Sequence, residues 1–376
     1  MLRPPQIRIF SPALTLIGEV PGCTSALYTR RWQSPGDFEI SVPLGASGAD
    51  LLRPGNIIML DADGRRSGVI LSVEISESAS GVLAARGASL SGLCAYRVTV
   101  PPDGAANMGY DNVPLVAVPG VYPEPVSAET VLKEYAYRHM KRDADRNFPL
   151  LDIAPDQQRG VSIRWMSRFE NLAEVLCGVC EYCDIGYEIR LDAAGKRMIF
   201  DVVEGVSRLN GPARVIFSSK LANVKGLAYA FSLDGYRNLA YVGGAGEDEN
   251  RLIQTVWGDE KPIGTERREV FIDAGTLEIA DGLTDEGRRK LRDYPTAKSI
   301  SCEILDSGPF KYRADWDLGD IVTIQSAGAG VTFDTRITEV TERYDSQAME
   351  IIPVFGTPQE RFGRMIKRLE SRQKVR

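Results

Sequence analysis

The sequence predicts an α+β protein that is mostly β, with two related β-modules on either side of a mixed helical insertion. Three observations carry this. Most of the first hundred residues, and those after about 212, alternate apolar and polar side chains with the period of a half-buried strand. Between them lie two stretches with the apolar stripe of a helix. A short echo, "RPGNIIML" at 53–60 and "DLGDIVTI" at 317–324, occurs once on each side of the insertion.

In chain order, "DFEISVP" sets Phe38, Ile40 and Val42 on one face and Glu39 and Ser41 on the other, after a turn at Ser34–Asp37. "NIIML", "GVILSVEIS" and "YRVTVP" read as further strands, and Pro101-Pro102-Asp103-Gly104 marks a boundary. Ser127 is placed to cap a helix whose stripe is Leu132, Tyr135, Ala136 and His139. Ser167 and Glu170 have capping-box spacing ahead of a second helix with the stripe Leu172, Val175, Leu176 and Val179. "YEIRLDAAGKRMIFDVV" predicts a hairpin turning at Asp192–Gly195. Strands return in "RVIFSS", "GLAYAFS", "NLAYVGG" and "REVFIDA". A helix follows Thr284 and stops before Pro295, then more strands run to about Phe355. The expected domains are 1–104, 105–211, 212–356 and a basic C-terminal helix at 357–376. In that last segment Phe362, Met365, Ile366 and Leu369 form a stripe beside Arg364, Lys367 and Arg368, a surface for docking onto an acidic partner or a neighbouring subunit in preference to a membrane.

Composition narrows the function. The 376 residues carry a formal charge of −6, against the basic balance of a general nucleic-acid binder. "MLRPPQIRIF" has no apolar core of a secretion signal, and no apolar run approaches the ~20 residues of a membrane helix. A chain that folds in the cytoplasm without a membrane anchor is expected. The six cysteines are too sparse for a disulfide scaffold, and a single histidine, His139, removes most histidine-based chemistry, including Ser-His-Asp triads and multi-histidine zinc centres.

Four clusters invite a chemical reading. "DWDLGD" brings together Asp315, Asp317 and Asp320, as a glycosidase pair would require. The echo supplies another reason for it: Gly55 and Asn56 in the early copy match Gly319 and Asp320 in the late one. Gly adopts φ > 0, and Asn and Asp both shape turns, so an amide at the equivalent place argues for four structural turn residues. "CGVCEYC" places Cys177, Cys180 and Cys183 three apart, but on a helix they spread by about 120° instead of converging. "VGGAGEDEN" lacks the spacing of a phosphate loop, and its acids repel phosphate. Arg288, Arg289, Lys290 and Arg292 read as a solvated face. No catalytic, cofactor-binding or metal-binding residue is assigned.

The ordered stretches "YTRRWQSPGDFEISVPL", "SGLCAYRV", "GYRNLAYVGGAGE", "RREVFIDA" and "YRADWDLGDIVTI…RITEVTERY" span nearly the whole chain. Together they resemble the baseplate hub proteins of phage tails, the group of siphovirus tail-associated lysin N-terminal regions and Gp37-like tail proteins. The resemblance implies two barrel-like β domains separated by an α+β insertion, and a virion protein assembled in the host cytoplasm. It implies a homotrimer at the tail tip, whose six modules match a six-fold tube. The implied partners are the distal tail ring, the tube protein, the tape measure protein and tip fibres or lytic and receptor-binding proteins. DNA would pass through the channel without being read. No cofactor and no enzymatic activity is expected. The rivals are a cell-wall hydrolase using acidic residues and a cysteine-based metal-binding module.

Overall fold

In the computed structural model the described residues are 5–76, 81–102, 110–115 and 123–356, apart from 259, 276, 305–307, 327, 329, 346 and 347. They divide into two compact units: one gathers Met1–Leu115, Pro125–Ala228 and Ser301–Phe355, and the other is built on Tyr229–Ile300. The expected C-terminal helix lies outside the described residues.

The first unit opens with β1 (Ile7–Phe10), β2 (Leu16–Val20), β3 (Ser25–Arg31), β4 (Asp37–Pro43), β5 (Ile57–Leu60), β6 (Ser67–Ser76) and β7 (Val82–Ser89). Alternation does what it predicts in β4: Phe38, Ile40 and Val42 are buried while Glu39 and Ser41 are half-buried. In β5 both faces are covered. Ile58 and Leu60 join Ile7, Ile9, Ile40 and Ile70 in one core, and Ile57 and Met59 join Phe10 in a second core shared with the insertion. That explains the unbroken apolar run.

"YRVTVP" forms no strand. Leu90–Tyr96 winds as a 3₁₀ turn, and the extended residues after it serve the start of a helix instead of a ladder. Arg97 O accepts from Leu172 N at 2.9 Å, and Thr99 N donates to Glu170 O at 2.8 Å.

The insertion comprises β8 (Asp111–Val113), β9 (Val126–Ser127), α1 (Ala128–Tyr137), β10 (Leu151–Ile153), β11 (Ser162–Ile163), β12 (Trp165–Ser167), α2 (Leu172–Cys183), β13 (Gly186–Asp192) and β14 (Arg197–Val203). Ser127 caps α1 through Thr130 N. A ten-residue helix is marginal alone, so packing holds it: Leu132, Tyr135 and Ala136 are fully buried against Leu172, Leu176, Val179 and Phe200. The cap of α2 is Asn171, whose Oδ1 accepts from Ala173 N at 3.0 Å. Ser167 does not cap it. Ser167 ends β12, buried, and donates to Tyr135 Oη at 3.1 Å, so the better-placed Asn four residues on takes the role.

Glu129, fully buried in the first turn of α1, accepts from Lys133 at 2.5 Å and from Arg159 at 2.8 Å. Burial alone would raise its carboxyl, but the Arg159 and Lys133 bonds outweigh that and hold it well below the usual carboxylate range. A depressed carboxylate stabilises at neutral pH and loses that contribution as pH falls through its folded value. Glu129→Gln should therefore cost about 2 kcal/mol at pH 7, with the gap to wild type narrowing on acidification. Urea midpoints of both proteins across a pH series measure it, and a gap independent of pH would refute the charge as its source.

The late part of the first unit holds β15 (Ile216–Ser218), then β16 (Val224–Ser232), which runs to the division between units. The second unit contains β17 (Leu239–Gly243), β18 (Ile253–Trp257), β19 (Glu269–Asp273) and α3 (Ala280–Leu291). Its sheet order is β18–β17–β19. β18 was not anticipated. α3 begins four residues before Thr284, whose hydroxyl donates to Ala280 O at 3.0 Å from inside the helix; it ends before Pro295 as expected. After β20 (Ala297–Ile304) come β21 (Ile321–Ser326), β22 (Val331–Asp345) and β23 (Met349–Gly356).

The two β-modules share one sheet. The path β2–β1–β5–β6–β7–β4–β3 continues directly into β22–β23, with β21 paired to residues 331–336 of β22 and β15 paired to β21. The joint is β3 against β22, antiparallel from Glu339↔Arg31 to Asp345↔Ser25. The mostly β, α+β class holds. The pairings among the described residues form an open path and close no barrel.

Candidate functional site

The echo is a repeated backbone turn. Gly55 and Gly319 both have φ 90°. Gly55 N donates to Ile70 O at 2.8 Å, and Ile70 N returns a bond to Asn56 O at 2.9 Å. Gly319 N donates to Ile337 O at 2.8 Å, and Ile337 N returns a bond to Asp320 O at 2.9 Å. Each turn thus pins the start of one strand (β5 or β21) to the next (β6 or β22).

The side chains then diverge. Asn56 donates to Leu51 O at 2.8 Å. Asp320, 3% exposed, accepts from Val206 N at 2.9 Å, Asp317 N at 3.1 Å and Arg208 Nε at 3.0 Å. It fastens the strand leaving the insertion to the late turn. Asp317 pairs with Arg30 at 2.6 Å, and Asp315 accepts from Lys311 N at 2.7 Å. The three aspartates point their bonds at three different structural tasks.

The late turn borders a cavity of about 320 Å³ in the first unit, lined among others by Arg30, Trp32, Arg65, Glu188, Arg208 and Asp320. Its charges are matched across the wall: Arg65 pairs with Glu188 at 3.1 Å and Arg208 with Asp320 at 3.0 Å. Burial pushes the Glu188 carboxyl up, with Arg65 pulling it back.

Two interlocks flank the cavity. Trp32, just after β3, donates its backbone N–H to Thr338 O at 3.0 Å. Its ring is wedged between two glycines: a Cβ at Gly186 would lie 2.7–2.8 Å from it, and one at Gly319 2.2–2.6 Å. The Arg336 guanidinium stands 5.5 Å from the ring centre and reaches Asp184 at 2.6 Å.

The second interlock is a buried polar chain. Arg66 pairs with Glu342 and with Asp61, and the Arg66 and Glu342 side chains are 5% and 6% exposed. Glu342 accepts from Tyr312 Oη at 3.1 Å, and Tyr312 Oη accepts from Arg30 Nη1 at 2.9 Å. Burial raises the Tyr312 phenol, Arg30 opposing and Glu342 adding to it, so the phenol stays protonated and donates. Residues of β3 and the β5–β6 turn are thereby bonded to β22. None of this was legible as a motif, because its bonded partners lie up to 282 positions apart.

The remaining candidates are placed as follows. His139 is 1% exposed, with Nε2 2.6 Å from Asp111 Oδ2 and Nδ1 3.4 Å from Arg146 Nη1. A guanidinium only donates, so Arg146 donates to Nδ1, and the ring is held in the core between Arg146 and Asp111. Cys180 is buried in the α2 core, while Cys177 donates to Glu181 at 3.4 Å. Among the described residues no group of three or more metal-ligating side chains converges. Gly246–Asn250 of "VGGAGEDEN" are exposed between β17 and β18. Arg289 pairs with Glu286 at 2.6 Å, and Lys290 lies 3.7 Å from Asp293.

Residues 6–357 match the family model described as siphovirus ReqiPepy6 Gp37-like protein. No curated protein matches the sequence. Among solved structures, the tail protein from Neisseria meningitidis MC58 aligns with TM-score 0.58 at 10% identity, over 94% of this chain and 97% of that one. The 43 kDa tail protein of prophage MuSo2 from Shewanella oneidensis aligns with TM-score 0.58 at 13% identity, over 93% and 98%. Prophage tail protein gp18 from Listeria monocytogenes EGD-e gives 0.56 at 10%, over 98% and 99%. At these identities the likeness is one of fold.

Proposed function

The chain belongs to the family of siphovirus ReqiPepy6 Gp37-like proteins, and from that membership we propose that it is a structural hub at the distal end of a phage tail or tail-like particle. In this reading three copies join the tail tube and distal tail ring to the tip or receptor-binding components. The two β-modules of each chain act as barrel-like units around the axis, giving six positions. Lytic activity, where the particle has one, resides in another protein, and this chain is not an enzyme.

The observation that carries the two-module reading is the repeated turn. Gly55 and Gly319 hold the same φ and make the same pair of bonds in strands that follow one another in the same order. A tube of six equivalent edges can be met by three chains that each present two such modules, and closed rings are the usual way to cover exposed strand edges. The burial of Asp320 and the dispersal of Asp315 and Asp317 support a structural role over a hydrolytic pair. Native mass measurement of the complex with the distal tail ring should report three copies. A hexamer or a stable dimer in that complex would be fatal to the reading, as would peptidoglycan cleavage by the purified chain that disappears on replacing Asp320.

A further inference from the structure

The cavity beside the late turn has more hydrogen-bond donors than its own acceptors engage. Its wall includes Trp32, 3% exposed, whose indole Nε1 is buried and meets no protein acceptor. A Cβ at Gly319 would strike the Cε3, Cζ3 and Cη2 edge of that ring, so Nε1 lies on the opposite edge. Ser89 and Ser91 line the same wall. Their hydroxyl oxygens accept from Gly36 N at 2.9 Å and Ile189 N at 3.0 Å. Each hydroxyl also carries a proton to donate, and neither has an acceptor for it among the described residues. The guanidiniums are engaged on one side only. Arg30 donates through Nη1, to Tyr312 and Asp317. Arg65 and Arg208 donate through Nε, to Glu188 and Asp320. The terminal nitrogens of Arg65 and Arg208, and Nε and Nη2 of Arg30, bond to none of the described residues.

The acceptors are closer to full use. Asp320 takes three bonds, and Asp317 Oδ1 accepts from both Arg30 Nη1 and Leu318 N. Five arginines line the cavity against the four carboxylates Glu188, Glu204, Asp317 and Asp320. An orphaned indole N–H is not by itself a site, as Trp316 shows. Its Nε1 is also buried without an acceptor, but Trp316 packs edge-on to Phe217 at 5.4 Å and does not line the cavity. Around Trp32 the surplus donors instead share a space of about 320 Å³, within the range of small-molecule sites. We propose that this cavity binds a small free molecule through an oxyanion group, a carboxylate or a phosphate, which accepts from Trp32, Ser91 and the unengaged sides of Arg30, Arg65 and Arg208. Such a group brings only acceptors, and guanidiniums match its geometry. A neutral polyhydroxyl compound would add donors to a wall whose acceptors are largely taken. The inference concerns a single chain and does not rest on the hub reading.

The test uses the full chain labelled with nitrogen-15, in which the four tryptophans give four indole N–H signals. Replacing each tryptophan in turn with Phe identifies its signal, and any three of these variants suffice. Sodium phosphate and sodium succinate are titrated separately, with ionic strength held constant by sodium chloride. The Trp32 signal should move downfield to a plateau while the Trp316 signal stays in place. A plateau with phosphate alone assigns a phosphate group to the ligand, and one with succinate alone a carboxylate. Calorimetric titration with the responding anion should then show binding weakened about fivefold in Arg65→Gln and unchanged in Arg86→Gln. Both side chains are 48% exposed, so these two variants serve even if Trp32→Phe folds poorly. A Trp32 signal unmoved by both anions would overturn the proposal. So would a shift that grows without a plateau in all four signals, or equal affinities in Arg65→Gln and Arg86→Gln.

Discussion

Replacing Glu342 with Ala should lower the unfolding free energy by about 3–5 kcal/mol, one of the two largest losses expected from a single side chain here. The reason is what it leaves behind. Arg66 is 4% exposed and Glu342 6%. With Glu342 gone, the guanidinium keeps only Asp61 and Asp63 at its outer side, and the Tyr312 hydroxyl loses its acceptor. A buried charge stripped of its partner suffers the desolvation cost without the attraction that offset it. Burial alone would lower the Arg66 guanidinium, and Glu342 is the chief group holding it up instead, so this carboxylate carries the pair. A matched control is Arg86, which joins Glu39 and Glu74 at 2.8 and 2.7 Å but is 48% exposed. Solvent screens such pairs, and Arg86→Ala should be close to silent. The double variant Arg66→Met with Glu342→Leu should recover much of the loss, because apolar side chains of similar volume can replace a buried pair. Urea denaturation of the four proteins decides it. If Glu342→Ala and Arg86→Ala cost the same, the buried chain does not fasten β22 to the early module.

How much of this could be read beforehand depends on distance along the chain. The strands β4, β5 and β6, both helix stripes and the Asp192–Gly195 hairpin were legible, because their signals are local and periodic: Phe38, Ile40 and Val42, or Leu172, Val175, Leu176 and Val179, show their burial in their spacing. The Gly55–Asn56 and Gly319–Asp320 echo was legible as residue types, though not the different bonds of the two side chains. Errors arose where a local signal had two outlets. Thr99 and Val98 look like strand residues, but their hydrogen bonds go to the start of α2. Ser167 looks like a cap, but its hydroxyl is used by Tyr135. The β3–β22 joint, the Trp32 wedge and the Arg66–Glu342 pair were invisible, since each joins the first hundred residues to the last sixty and leaves no periodic trace in either.

The paired turns allow a comparison in which the protein supplies its own control. Gly319→Ala should destabilise by about 3–5 kcal/mol, and Gly55→Ala by only about 1–2 kcal/mol. Both glycines sit at φ 90°, so both substitutions incur the same left-handed backbone strain. Their surroundings differ. A Cβ at Gly55 meets nothing within 4 Å, whereas one at Gly319 would fall 2.2 Å from Trp32 Cζ3. The indole cannot retreat easily, because on its other side Gly186 already leaves no room for a Cβ and Arg336 stands against the ring. Gly319→Ala must therefore displace Trp32, and with it the contact between the insertion and the late turn. A Trp32→Leu substitution would be destabilising alone, yet it removes the ring atoms that the new methyl would strike. In the Gly319→Ala background it should cost much less than in wild type, a coupling of roughly 1–3 kcal/mol between residues in direct contact. The same Trp32 change paired with Gly55→Ala should simply add, since nothing links that site to the ring. Five single and double variants, melted under one set of conditions with wild type, measure both couplings. Equal costs for the two alanines, or additivity at Gly319, would mean that the late turn is held by its backbone bonds alone and that Trp32 is only a neighbour.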